Sequence, residues 1–312
     1  MSDQSNETAA SPETATRCGF VAIIGAPNAG KSTLVNRLVG AKVTIVSHKV
    51  QTTRVPVRGI AIAGASQLVF IDTPGIFDPK KRLDRAMVEA AWGGAGDADV
   101  VCLVVDAVRG LDDTTIGILE RLAPVRVPRI LALNKVDSVT DKAALLALAA
   151  AINDKLAFER TFMISAEKGS GVRDLAKYLA KSVPEGPWHY PEDEISDAPL
   201  RLLAAEITRE KVYENVHDEV PYAVTVETTS WKDLKSGDVR IEQTLFVERD
   251  SQKSILLGKG GRTIKQISSS ARAELSRMLE RTVHLFVFVK VRDNWKDDPE
   301  RYSEMGLDFP KK

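Results

Sequence analysis

Cysteine is almost absent from this chain: 312 residues contain two, Cys18 and Cys102. So low a count leaves no disulfide framework and suits a reduced, cytosolic protein. Cys102 falls in the strand-like run Val100-Val101-Cys102-Leu103-Val104-Val105, where a thiol serves as a small core side chain. No long uncharged apolar run occurs, so no transmembrane helix is expected. Residues 1–17 lack the basic start and apolar core of a secretory signal. Rich in Ser, Thr, Glu and Ala, they are read as a disordered tail. Neither sign of charge is in excess, with 43 basic and 43 acidic residues, so overall charge says nothing about a nucleic-acid partner.

Against this plain background one stretch names a ligand. Asn134-Lys135-Val136-Asp137 fits the motif that selects guanine. The Asp137 carboxylate can accept from N1–H and from the 2-amino group of the base. Adenine offers neither donor and would leave a buried charge unpaired. Hydrogen bonds to a charged group are worth about 1.5–3 kcal/mol each, and a site built for polar groups rejects analogues that lack them. Asn134 is expected to bridge the base to the phosphate loop, and the stem of Lys135 to cover the ring. The ligand read from this motif is GTP or GDP.

The phosphate end is equally explicit. Phe20 to Ile24 reads as a short buried strand and Thr33 to Val39 as a helix. Between them Gly25-Ala26-Pro27-Asn28-Ala29-Gly30-Lys31-Ser32 matches G-x-x-x-x-G-K-[ST] in the strand–loop–helix context that the motif requires. Backbone N–H groups of such a loop crowd the β-phosphate at a helix N-terminus. Lys31 is expected on the β- and γ-phosphates and Ser32 on Mg²⁺, with Thr33 opening the helix. Asp72-Thr73-Pro74-Gly75 closes the apolar run Leu68 to Ile71. Asp72 would hold Mg²⁺ through water, Thr73 would stand among the nucleotide contacts, and the Gly75 amide would meet the γ-phosphate. Ser165-Ala166 follows the strand-like Thr161 to Ile164 and fits the loop whose amide contacts guanine O6.

Ser47 to Arg54 should be the mobile loop that closes over γ-phosphate and metal. One threonine hydroxyl there completes the metal shell, Thr53 in preference to Thr52. After Asp-Thr-Pro-Gly comes Ile76, where Ras-like GTPases carry a water-positioning glutamine. An isoleucine cannot orient water, so either hydrolysis is slow or another group does this work. Asn28 offers one route, because GTPases with asparagine here often hold K⁺ beside the phosphates. The alternative is a side chain that only stabilises the loop. The catalytic set read from the sequence is therefore Lys31, Thr53, Gly75 and Asn28.

Strand and helix patterns alternate over 18–182, which predicts an α/β doubly wound sheet with its ligand at the carboxyl ends of the strands. Composition turns to Pro, Glu, Asp and Gly over 183–198, read as a linker. Residues 199–295 then read α-β-β-α-α-β, and 296–312 as a C-terminal tail. Gly258-Lys259-Gly260-Gly261 lies between two helices of that order, the KH pattern in its type II, α+β arrangement. Such a loop lets the backbone approach nucleotide phosphates. From Lys253 to Arg292 nine basic residues stand against Glu274 and Glu280, a local excess of +7 in a neutral chain. The candidate RNA contacts are Gly258, Lys259, Gly260, Gly261, Arg262 and Lys265. Single-stranded RNA is preferred over DNA, which the pattern does not exclude.

A P-loop domain followed by this KH arrangement resembles the Era family of bacterial GTPases. The resemblance covers nearly everything after residue 17. It extends to Gln51-Thr52-Thr53-Arg54, the helix with Ala205-Glu206-Ile207-Thr208-Arg209-Glu210-Lys211, Val220-Pro221-Tyr222 and Asn294-Trp295. It implies binding to the 3′ end of 16S ribosomal RNA, a role in assembling the small ribosomal subunit, and a cytoplasmic protein peripherally associated with the inner membrane. A monomeric switch is expected, in which GTP orders the loops around Thr53 and Gly75 and favours RNA binding. The rivals are an RNA-binding scaffold holding nucleotide for structure alone, and a GTPase of tRNA modification or of membranes. The KH loop and the absence of a C-terminal catalytic cysteine weigh against the latter.

Overall fold

The computed structural model describes residues 15–49, 51–293 and 295–310. The disordered tail expected over 1–17 lies outside these residues up to position 14, as do Val50 and Asn294. Thr16 and Arg17 are not tail: Thr16 accepts from Gly186 N at 3.0 Å, and Arg17 opens the first strand.

The first half of the chain runs β1 (Arg17–Ile24), α1 (Lys31–Val39), β2 (Val57–Ala63), β3 (Ser66–Asp72), α2 (Arg82–Gly96), β4 (Val100–Asp106), α3 (Asp113–Leu122), β5 (Arg129–Asn134), α4 (Lys142–Lys155), β6 (Arg160–Met163) and α5 (Val172–Ser182). The sheet order is β2-β3-β1-β4-β5-β6, antiparallel only at β2–β3. Every residue of β3 and β4 is buried, as a strand covered on both faces requires. Leu34, Val35, Leu175 and Leu179 cover one face from α1 and α5. Ala91, Ala95, Ile118, Leu119 and Ile152 cover the other from α2, α3 and α4. Since β3 and β4 flank β1 on opposite sides, the loop after β1 sits where the winding reverses, the position at which such sheets bind ligands.

The second half runs α6 (Leu200–Asn215), β7 (Thr225–Asp233), β8 (Val239–Val247), α7 (Asp250–Leu257), α8 (Arg262–Met278), β9 (Val283–Val291) and α9 (Pro299–Glu304). β8 pairs antiparallel with β7 and parallel with β9. Helices α6 and α8 cover one face of this sheet through Ala204, Ile207, Ala271 and Leu275. Two boundaries differ from what the sequence pattern predicts, a strand over Tyr222 to Glu227 and a short helix over Ser254 to Leu257. Residues 221–223 form one 3₁₀ turn before β7, where Pro221 supplies a fixed φ and has no N–H to leave unsatisfied. Helix α7 starts at Asp250, four residues before Ser254, because the Gln252 side chain accepts from Glu248 N and Arg249 N at its start.

The segment 183–198, read as a linker, is bonded to the first sheet along its length. Pro184 O accepts from Cys18 N, and Ile195 O from Ile60 N. Gln67, fully buried, accepts from His189 N and Tyr190 N and donates to Tyr190 O. The stretch after Trp295, expected to be a tail, is packed instead. Trp295 and Tyr302 are fully buried against Leu83 and Met87 of α2 and against Val55, because their apolar area has a partner in the first domain.

Candidate nucleotide site and RNA-binding loop

Four loops at the carboxyl ends of β1, β3, β5 and β6 enclose a cavity of about 520 Å³ with the segment before β2, a usual size for a small-molecule site. Pro27, Asn28, Gly30, Lys31, Ser32, Thr33, Thr53, Gly75, Asn134, Lys135, Asp137, Ser165 and Ala166 all line it. Lys31 is buried and donates to Gly25 O and Ala26 O. Burial lowers its pKa to about 8 although Asp72 pulls the other way. Gly30 has φ +95°, and a Cβ there would lie 2.2 Å from Asn134 Nδ2, so only glycine allows the β5 loop this close. Asn134 Nδ2 donates to Ala29 O, and its Oδ1 accepts from Ala166 N. One side chain thereby fastens three loops.

Asp72 sits directly behind the cavity, fully buried. Its Oδ2 accepts from Ser32 Oγ at 2.7 Å, Thr44 Oγ1 at 2.9 Å and Thr53 Oγ1 at 3.2 Å. Oδ1 is buried without a hydrogen-bond partner. Burial raises the carboxyl's pKa, and the hydroxyls and Lys31 oppose that rise. Ser32 Oγ and Thr53 Oγ1 are 2.9 Å apart. An unsatisfied carboxylate oxygen beside two hydroxyls is a donor set that suits a hard divalent cation. Thr52 points elsewhere, donating to Lys49 O at 2.8 Å.

The base end is held in charge balance. Lys135 Nζ pairs with Asp106 at 2.7 Å, and Asp137 with Lys168 at 3.1 Å. The Ser165 hydroxyl, and after it Lys168, hold Asp137 below the usual carboxylate range, so its oxygens remain acceptors. Asn28 has φ +62°, and its amide donates to His48 O at 2.8 Å. Ile76 is buried among Ala22, Ile24 and Ala91, so its side chain faces the core. Thr73, expected among the nucleotide contacts, is turned away: fully buried, it donates to Ile23 O at 2.8 Å. Gly25 and Ala29 act through their carbonyls. His48 and Gln51, within the 47–54 loop expected to close over the site, line the cavity. Thr44 lies outside every stretch that the sequence singles out, and a contact 28 residues from Asp72 leaves no local signal.

In the second domain Gly260 has φ +62° and Gly261 +76°, and α8 begins directly after them. Lys259, Arg262 and Lys265 are exposed, as is half of Ile255. Arg281 pairs with Asp233 and Arg292 with Asp298, whereas among the described residues Lys259, Arg262 and Lys265 have no carboxylate partner. Glu274 faces the first domain, paired with Lys42 and Lys211. The positive charge is thus left unbalanced at the loop.

The 50S ribosome-binding GTPase family matches residues 20–135, and the KH-domain family matches 219–296. GTPase Era of Rhizobium meliloti is 64% identical over 311 residues, covering 100% of this chain and 99% of its own length. The chain belongs to the Era family of GTPases. GTPase Era of Brucella suis is 63% identical over 297 residues, covering 95% of each chain. A crystal structure of Era with MgGDPNP and nucleotides 1506–1542 of 16S ribosomal RNA superposes with TM-score 0.89 at 39% identity, covering 93% of this chain and 99% of that one. Aquifex aeolicus Era bound to GDP·AlF4⁻ superposes equally well. As an Era-family protein the chain is a GTPase of two domains, P-loop and KH. No described helix is long and apolar enough to cross a membrane.

Proposed function

We propose that this GTPase is a nucleotide-controlled RNA-binding switch that acts on the 3′ end of 16S ribosomal RNA during small-subunit assembly. The observation that carries the reading is the pairing of the Ser32–Thr53–Asp72 cluster with the unneutralised Gly258–Lys265 loop in one chain. Asp137 accepts hydrogen bonds from the guanine N1–H and 2-amino group, and Ala166 N donates to O6. Lys31 neutralises the β- and γ-phosphates, and the Gly75 amide holds the γ-phosphate. Ser32, Thr53 and Asp72 would hold Mg²⁺, which supplies charge neutralisation at the phosphates. Water attacks the γ-phosphorus as its bond to the β,γ-bridging oxygen breaks, giving GDP and phosphate without a protein nucleophile.

Ile76 leaves the attacking water without a side chain at that position, so intrinsic turnover is slow. Asn28 Oδ1, whose companion nitrogen is bonded to His48 O, is the atom that would face K⁺. The KH loop takes phosphates on the Gly260–Gly261 backbone with Lys259, Arg262 and Lys265 beside them. The protein works as a cytoplasmic monomer with peripheral contact to the inner membrane. Crosslinking in cells followed by sequencing of the bound RNA should recover the 3′ end of 16S ribosomal RNA. Recovery of tRNA, or of no RNA, would remove this reading.

A further inference from the structure

Between Val39 and Val57 the described residues form no helix or strand, so the backbone that carries Thr53 takes its shape from outside. Much of that outside is the second domain. Arg209 of α6 donates through Nη2 to Thr52 O, and Tyr213 Oη donates to Gln51 O at 3.2 Å. Lys49 Nζ reaches back to Tyr213 O and Val216 O. Glu210 Oε1 accepts from Val46 N at 2.8 Å.

These contacts are firmly mounted. The Arg209 side chain is 1% exposed, and Glu206 accepts from its Nε at 2.8 Å and also from Nη2. Its guanidinium lies 5.3 Å from the centre of the Tyr213 ring. Gln51 stands at φ +57°, uncommon for a residue with a side chain. Such a conformation persists only where its surroundings over-determine it. Here Tyr213 holds its carbonyl from α6, and Asp84 of α2 accepts from its side-chain Nε2 at 3.2 Å. Ordinary domain docking needs no bonds to the two carbonyls that precede the metal-site threonine.

We propose that Arg209 and Tyr213 of the RNA-binding domain are positioning residues for GTP hydrolysis, holding Gln51 and Thr52 so that Thr53 Oγ1 faces Ser32 and Asp72. The proposal rests on the reading of Ser32, Thr53 and Asp72 as the metal site. It means that the first domain does not complete its own reaction centre.

The test uses the full chain with Tyr213→Phe, which removes one oxygen and keeps the ring, and with Arg209→Gln and Arg209→Lys. GTP turnover is followed across a Mg²⁺ titration, and GDP affinity is measured in chelator. Tyr213→Phe should lower kcat about two- to tenfold, the worth of one neutral hydrogen bond. It should raise the Mg²⁺ needed for half-maximal turnover and leave GDP affinity in chelator unchanged. Arg209→Lys, which keeps a charged donor for Glu206 and Thr52, should lie closer to the unaltered protein than Arg209→Gln. Should Arg209→Gln not fold, Tyr213→Phe decides alone. A folded Tyr213→Phe chain with unaltered kcat and Mg²⁺ dependence overturns the proposal. Parallel loss of kcat, GDP affinity and thermal midpoint also overturns it, since that is general damage. An unaltered chain whose turnover ignores Mg²⁺ strikes the metal-site reading itself, and this proposal with it.

Discussion

The proposed base reader, Asp137, is a carboxylate that Ser165 and Lys168 keep ionised. Asp137→Asn exchanges an acceptor-only group for one that also donates. Affinity for GTP should fall about ten- to 150-fold, the equivalent of one charged hydrogen bond at ~1.5–3 kcal/mol. Xanthosine triphosphate, whose 2-oxygen accepts, should then be preferred. Competition binding of the two nucleotides measures this, and undiminished GTP affinity would refute the guanine assignment. Asn28 makes a second claim at this scale. With Ile76 packed in the core, turnover should be slow and faster in K⁺ than in Na⁺, and Asn28→Ala should abolish the difference. Equal rates in the two salts for the unaltered protein would eliminate K⁺ from the mechanism. The bond from Asn28 to His48 O also predicts some loosening of the loop in that variant, visible as faster proteolysis near His48.

The short helix α7, the glycine loop and α8 form the unit proposed to meet RNA. Gly260 holds φ +62° with open space where a Cβ would stand, so Gly260→Asp costs local strain and sets a negative charge on the phosphate path. RNA affinity should fall sharply while GTP affinity holds, and titration of labelled 16S 3′-end RNA against both proteins distinguishes the two effects. Unchanged RNA binding would reduce the loop to a turn. Elements of this kind were legible in the sequence because their signals are local. Gly25 to Ser32, Asn134 to Asp137 and Gly258 to Gly261 each lie in one short stretch, and the alternation along β9 or the spacing of Ile267, Ala271 and Leu275 on α8 needs no partner to be seen. What escaped was set by distant partners. Thr44 reaches Asp72, the 183–198 segment is fixed by Gln67, and Trp295 with Tyr302 finds Met87. None of these pairs leaves a periodicity. The start of α7 was missed for a smaller reason, a side-chain box at Gln252 that composition does not announce.

At the scale of the whole molecule, a switch requires RNA affinity to differ between nucleotide states, and by linkage RNA then favours one state by the same factor. A coupling of ~1–3 kcal/mol means about 5- to 150-fold tighter RNA binding with a non-hydrolysable GTP analogue than with GDP. Thr53→Ala should shrink that ratio and leave GDP affinity little changed. Identical RNA affinities in the two states would mean two independent modules. The contacts for such coupling exist: Lys42 pairs with Glu210 on α6 and with Glu274 on α8, and α2 carries the packed C-terminal stretch. The fastening of 184–197 to the sheet alters the mechanics of any swing between the domains. Two modules on a slack string would meet at a local concentration set by chain length. Here Ser196 is still bridged to Gly59 and Asp197 to Arg58, and α6 begins at Leu200. The pivot is therefore a knuckle of two or three residues around Pro199. α6 leaves that knuckle as a lever, with Arg209 and Tyr213 part-way along it, so a force applied to the second domain would be delivered as a torque beside Thr53.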